Sequence, residues 1–205
     1  MMQEKIFKGL FYLGIVDVVL AWIVILISIS ANPWWVSHYT TGAFSDLGSS
    51  QANMPWIYNN GLIFVGILIL LYSISLINYS LNKIEVAGSA FFFIAGIFLI
   101  LIGIFPAGTR PHVFVSTYFF VQSDLSIITW GIGIYLSKLK KYGEIFIILG
   151  IISPIVAILA PLSAAEAETL GILVIDAWTI LMYNSLKRRL KWPIKLIDDW
   201  NRLLL

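Results

Sequence analysis

The sequence predicts an all-α polytopic membrane protein, a bundle of six transmembrane helices, and three observations predict it. Of 205 residues, 60% are hydrophobic and 12% are charged, with a mean hydropathy of +0.92, which lies outside the range of soluble domains. Six apolar runs each reach the roughly 20 helical residues needed to cross about 30 Å of hydrocarbon. The basic residues then sort by side: only Arg110 falls on one face, and the other Lys and Arg residues fall on the opposite one. The positive-inside rule makes the basic side cytoplasmic. Both termini are therefore expected inside, and the cell membrane is the expected location.

The first run, 7–30, continues well past a signal-peptide core without a small-residue cleavage pattern, so it reads as a retained helix. Its Asp17 shares a side with Gly14 and Ala21, a surface for close packing that turns the acid into the bundle. Residues 31–60 form the one long polar interval, rich in Trp and Tyr and free of Lys and Arg, and are expected to cap the non-cytoplasmic end. Within it, Trp34 and Trp35 read as an interfacial anchor, and Ser45 or Asp46 as the cap of a short helix or turn.

The second run, 61–81, follows Asn59 and Asn60, two amides that either cap the helix or face whatever the loop covers. The third, 86–105, spaces Ser89, Gly96 and Gly103 along one face, a seam for a close neighbour. In the turn 105–112 stands Arg110, near His112; the planar fork of an Arg suits a carboxylate or phosphate. An ion pair with Asp46 or a lipid phosphate is the simpler account of it. The fourth run, 113–136, is the most polar, with Ser116, Ser123 and Ser126 near one face and Thr117 and Asp124 beside them. Pro154 and Pro161 predict a kink in the fifth, 145–162. The sixth, 169–186, carries Asp176 with Thr169, Thr179 and Tyr183 on its side. Residues 191–205 alternate as an amphipathic helix on the inner surface, which divides the chain into a membrane domain, 1–190, and a cytoplasmic tail.

Asp17, Asp124 and Asp176 lie within spans, with no Lys or Arg at matching depth. An ionised Asp at the bilayer centre costs roughly 2.5–3.5 kcal/mol. These acids are therefore protonated, hydrogen-bonded or gathered around a cation, and a neutral Asp can also serve as glue between helices. With no Cys, thiolate sites and disulfides are excluded, and two His are too few for a His-rich zinc site. No phosphate loop or nucleophile elbow appears. The basic residues are the topogenic ones, which leaves nothing for nucleic acid. No cofactor and no metal site are expected.

Phe44-Ser45-Asp46-Leu47-Gly48, then Asn60-Gly61-Leu62, then Gly103-Ile104-Phe105-Pro106 with His112 shortly after, resemble the prokaryotic membrane family called domain of unknown function 998. More distantly, the set is similar to the six-span Frag1/DRAM family. The resemblance implies a six-span bundle whose motifs meet at the outer face, and it brings no established activity. Ala107 stands where that family often has an acid.

Four functional readings follow. The first is a non-enzymatic protein that binds a lipid or small ligand in an outer pocket formed by loops 31–60 and 105–112. Asp46, Asn59, Arg110 and His112 would contact the ligand, and Trp34, Trp35 and Trp56 would wall it. Proton- or cation-coupled transport through Asp17, Asp124 and Asp176 is the second. A metal-dependent lipid hydrolase using Asp46, His112 and Asp124 is the third, and an accessory subunit or homo-oligomer packed through small-residue seams is the fourth. Membrane lipids are the expected partners in each.

Overall fold

Backbone N–H and C=O groups in hydrocarbon find no water, so long apolar stretches pair them internally by winding into helices. The computed structural model describes residues 2–137 and 139–190. It contains α1 (Met2–Ala31), α2 (Trp34–His38), α3 (Pro55–Tyr79), α4 (Lys83–Ile104), α5 (His112–Tyr135), α6 (Lys140–Leu159) and α7 (Ala164–Leu190), with one 3-10 turn, Phe44–Gly48, in the first loop. Among the described residues there is no strand. The expected amphipathic tail, 191–205, lies outside them.

Among the described residues five helices are long and apolar enough to cross a membrane: Gly9–Ala31 of α1, all of α3, α4 and α6, and Ala164–Arg188 of α7. By this measure the expected six becomes five. The helix left out is α5, whose 24 residues match the others in length but include Gln122, Asp124 and several Ser and Thr.

Local chemistry sets the boundaries. α3 starts six residues before the expected apolar run because Pro55 occupies its first turn, where a fixed φ and a missing N–H do no harm. α4 opens on a reciprocal cap: the Glu85 N–H donates to Asn82 Oδ1 at 3.0 Å, and the Leu81 N–H donates to Glu85 Oε2 at 2.8 Å. α7 opens on another, in which the Glu166 N–H donates to Ser163 Oγ at 3.1 Å and the Ser163 N–H to Glu166 Oε2 at 2.7 Å. α6 runs through Pro154.

The long helices form a ring. α1 packs on α3, α3 on α4, α4 on α5 and α5 on α6, while α7 closes the ring more loosely between α6 and α1. Glycines bring backbones together along the tight part. A Cβ at Gly66 would lie 2.8 Å from the Gly96 carbonyl oxygen, and one at Gly131 would lie 2.8 Å from the Ile147 nitrogen. Trp130, Trp178, Phe92, Phe146 and Tyr72 fill the core, and the Trp130 indole donates to Ser89 Oγ at 3.1 Å. Lys83, Lys140, Lys141, Lys187 and Arg188 gather at one end of the ring; at the other, Arg110 is the one Lys or Arg among the described residues.

Candidate ligand chamber beneath the first loop

The first loop is a folded cap built on Asn32, which is fully buried. The Asn32 amide donates to the Ser28 and Asn53 carbonyls at 2.9 and 3.0 Å, and its oxygen accepts the Asn53 N–H at 2.6 Å. One side chain thus ties the start of the loop to its end. Trp35, 3% exposed, stacks on Phe44 with ring centres 4.8 Å apart and donates to the Ala43 carbonyl at 2.8 Å. Asp46 holds the 3-10 turn by accepting the Ala43 N–H at 2.8 Å. Asn59, on the first turns of α3, donates to the Gly48 carbonyl at 2.9 Å.

This cap is hydrogen-bonded to the start of α7. The Phe44 N–H donates to Glu168 Oε2 at 2.6 Å, the Ala165 N–H to the Gly42 carbonyl at 2.8 Å and Ser163 Oγ to the Tyr39 carbonyl at 3.0 Å. The hydroxyls of Tyr39 and Thr169 share a further bond at 3.0 Å. Four bonds therefore join segments more than 100 residues apart in the chain.

Below the cap lies a cavity of about 80 Å³ between α1, α3, α4, α5 and α7, well above the roughly 15 Å³ of such space that one water needs. Phe44, Ser45 and Glu168 form its upper end, and Leu62, Val65, Leu99 and Ile102 form an apolar side. Tyr58, Phe119 and Phe120 turn aromatic rings to it. At mid-depth it reaches Asp17 of α1 and Asp176 of α7. The Trp22 indole donates to Asp176 Oδ2 at 2.7 Å, joining α1 to α7. Asp17 is 8% exposed, and its Oδ1 is buried without a hydrogen-bond partner. Three carboxylates thus line one apolar chamber, with no Lys, Arg or His among its walls.

The residues singled out from sequence separate into two sets. Asp17 and Asp176 meet at the chamber, whereas Asp124 does not line it; its backbone carbonyl faces Gly150 of α6. Asp46, Asn59 and His112 bond to backbone around the outer end, His112 Nδ1 lying 2.8 Å from the Phe105 carbonyl oxygen and closing the turn before α5. Arg110 is exposed, and among the described residues no hydrogen bond or ion pair holds it. Of the three tryptophans expected to wall a pocket, Trp35 is packed inside the cap, while Trp34 and Trp56 are 37% and 61% exposed. Sequence reading passed over Glu168 and Asn32. The Ser163-Ala-Ala-Glu166 capping signature could have placed the start of α7, and with it Glu168 on the first turns of an inward-facing helix.

Among the described residues no group of three His, Cys, Asp or Glu could hold a metal ion. Residues 15–183 match the profile of a family described as Protein of unknown function (DUF998). No curated protein and no solved structure matches the chain.

Proposed function

Taking as premise that the chain belongs to the DUF998 family, we propose that it is a six-span protein of the cell membrane, both termini cytoplasmic, that holds a small ligand inside its bundle. α5 is the sixth span in this reading, its polar face turned to its neighbours and the chamber. The observation that carries the reading is the chamber itself: a cavity in a membrane bundle, walled by apolar and aromatic side chains, holding a few convergent polar groups and roofed by a hydrogen-bonded cap. Binding sites for small molecules have this make-up. The site then lies inside the bundle, with Asp46 and Asn59 holding the cap that roofs it and His112 closing the turn before α5, and no catalytic step is required of it.

Native mass spectrometry of protein released from mild detergent tests this. Wild type is expected to retain a small molecule, and Ala21→Leu, which fills the chamber wall, is expected to lose it while staying monodisperse. Equal retention by both proteins, or none by wild type, would sink the reading.

A second reading, cation- or proton-coupled transport, draws on the same geometry, since Asp17 and Asp176 reach one cavity from α1 and α7. Proteoliposome flux that depends on Asp17 but not on Asp124 would favour it. The metal-dependent hydrolase reading gains no support, because the Asp46 carboxylate and the His112 ring are bonded to backbone and no third ligand stands with them among the described residues.

A further inference from the structure

Resting on the chamber reading, we infer that the ligand is an organic ammonium ion, a primary or secondary amine bearing a compact apolar group, bound with its nitrogen against Asp17 and Asp176. Three carboxylates, Asp17, Asp176 and Glu168, line the chamber beside the hydroxyls of Ser45, Tyr58 and Ser116, and no Lys, Arg or His stands among them. Asp17 Oδ1 is buried and accepts nothing, and Asp176 uses one oxygen for the Trp22 indole and leaves the other free. Glu168 is occupied at the roof by the Phe44 N–H. Buried acceptors are costly to leave unpaired, and a ligand that brings N–H donors and positive charge to mid-depth satisfies them with charge-assisted bonds.

The rest of the wall suits an organic cation better than a bare metal ion. Ca²⁺ takes about six to eight oxygen ligands and Mg²⁺ a near-ideal octahedron of them, and among the described residues no group of three His, Cys, Asp or Glu could hold a metal ion. Leu62, Val65, Leu99 and Ile102 instead offer a surface for hydrocarbon, and Tyr58 and Phe119 bring rings of the kind that attract ammonium groups. An anion finds no Lys, Arg or His there. The orphaned oxygen on Asp17 is the observation that turns a cluster of acids into a site, since it is an acceptor nine-tenths buried, on the chamber wall, and among the described residues no donor is hydrogen-bonded to it.

The experiment is a scintillation-proximity binding assay on the full-length protein in detergent, with tritiated propylammonium, small enough for a cavity of about 80 Å³, as probe and two competitors of similar size: propan-1-ol, which is neutral, and butanoate, an anion. The ammonium ion is expected to compete about tenfold or more better than either, as loss of one charge-assisted bond implies. Asp17→Asn is expected to weaken the ammonium by about tenfold and to close its gap to the alcohol, while Asp124→Asn leaves both within about twofold. Size-exclusion profiles matched to wild type establish that each variant is folded. If the alcohol or the anion binds as well as the ammonium, or if Asp17→Asn changes nothing, the ligand is not a cation, though the chamber still binds. If none of the three binds while native mass spectra still show a retained molecule lost in Ala21→Leu, the ammonium assignment falls and the chamber reading stands.

Discussion

The two sides of the ring are held together by different means. From α3 through α6 the helices touch backbone to backbone: a Cβ at Gly143 would run into the backbone of Tyr135, and one at Gly88 would lie 3.0 Å from the Trp130 nitrogen. Around α1 and α7 the contacts are made by side-chain ends. Gly171 faces the Phe120 ring, Gly14 faces the Tyr72 ring, and α1 meets α7 through the Trp22–Asp176 bond and a Phe11–Tyr183 stack with centres 5.5 Å apart. Lipid is as apolar as a leucine, so helices in a membrane associate through close packing and hydrogen bonds rather than by fleeing water. The glycine side is therefore the closely packed scaffold, and the chamber lies where α1 and α7 face α3, α4 and α5.

The largest expected effect separates those two kinds of contact. Gly143→Ala places a methyl against backbone that cannot move without separating α5 from α6, and overpacking of this sort costs about 3 kcal/mol or more. Gly171→Ala meets only the edge of Phe120, a ring that can turn, so its cost is expected to stay below about 1 kcal/mol. Unfolding by sodium dodecyl sulfate in mixed micelles measures both, and equal losses would break the contrast between the sides.

Next in size is the roof. Glu168→Ala removes the acceptor of the Phe44 N–H, a bond to a carboxylate worth about 1–3 kcal/mol, and its effect is expected mainly in the cap. Amide hydrogen exchange over residues 42–48 should quicken while α3 to α6 keep their protection. Glu168→Gln retains a carbonyl that can accept the same N–H, and its effect is expected to be smaller. Unchanged exchange in both variants would mean that Tyr39, Ser163 and Ala165 hold the cap without Glu168. Trp22→Phe should follow at about 1 kcal/mol, the net value of a hydrogen bond whose acceptor keeps a free oxygen, read as a small drop in melting temperature.

Much of the scaffold was legible from the sequence because hydropathy is a local property. Each of the six long helices overlaps an expected apolar run, and Asp17 faces inward as its neighbours Gly14 and Ala21 indicated. The start of α3 was placed late because polar Asn59 and Asn60 looked like the edge of a span, when Pro55 had already begun the helix. The chamber was harder to see. Its roof depends on Phe44 meeting Glu168, a contact 124 residues apart in sequence, and nothing in the spacing of either residue encodes that meeting. Asp124 looked equivalent to Asp17 and Asp176 in one dimension, and only the packing of α5 against α6 sets it apart.

Arg110 brings the smallest expected effect and the sharpest choice between two places for the site. As the only basic residue on its face in the sequence, it invited a role in an outer pocket with Asp46 and His112. In the structure it is exposed, while Asp46 and His112 are engaged elsewhere. Exposed side chains without partners contribute little to stability, so Arg110→Ala is expected to shift the melting temperature by no more than about 2 °C. It should also leave the molecule retained in native mass spectra at the wild-type level, in contrast to its loss from Ala21→Leu. A folded Arg110→Ala protein that has lost the ligand would return the site to the outer surface, between loops 31–60 and 105–112, and would make the chamber a packing gap on the loosely joined side of the ring.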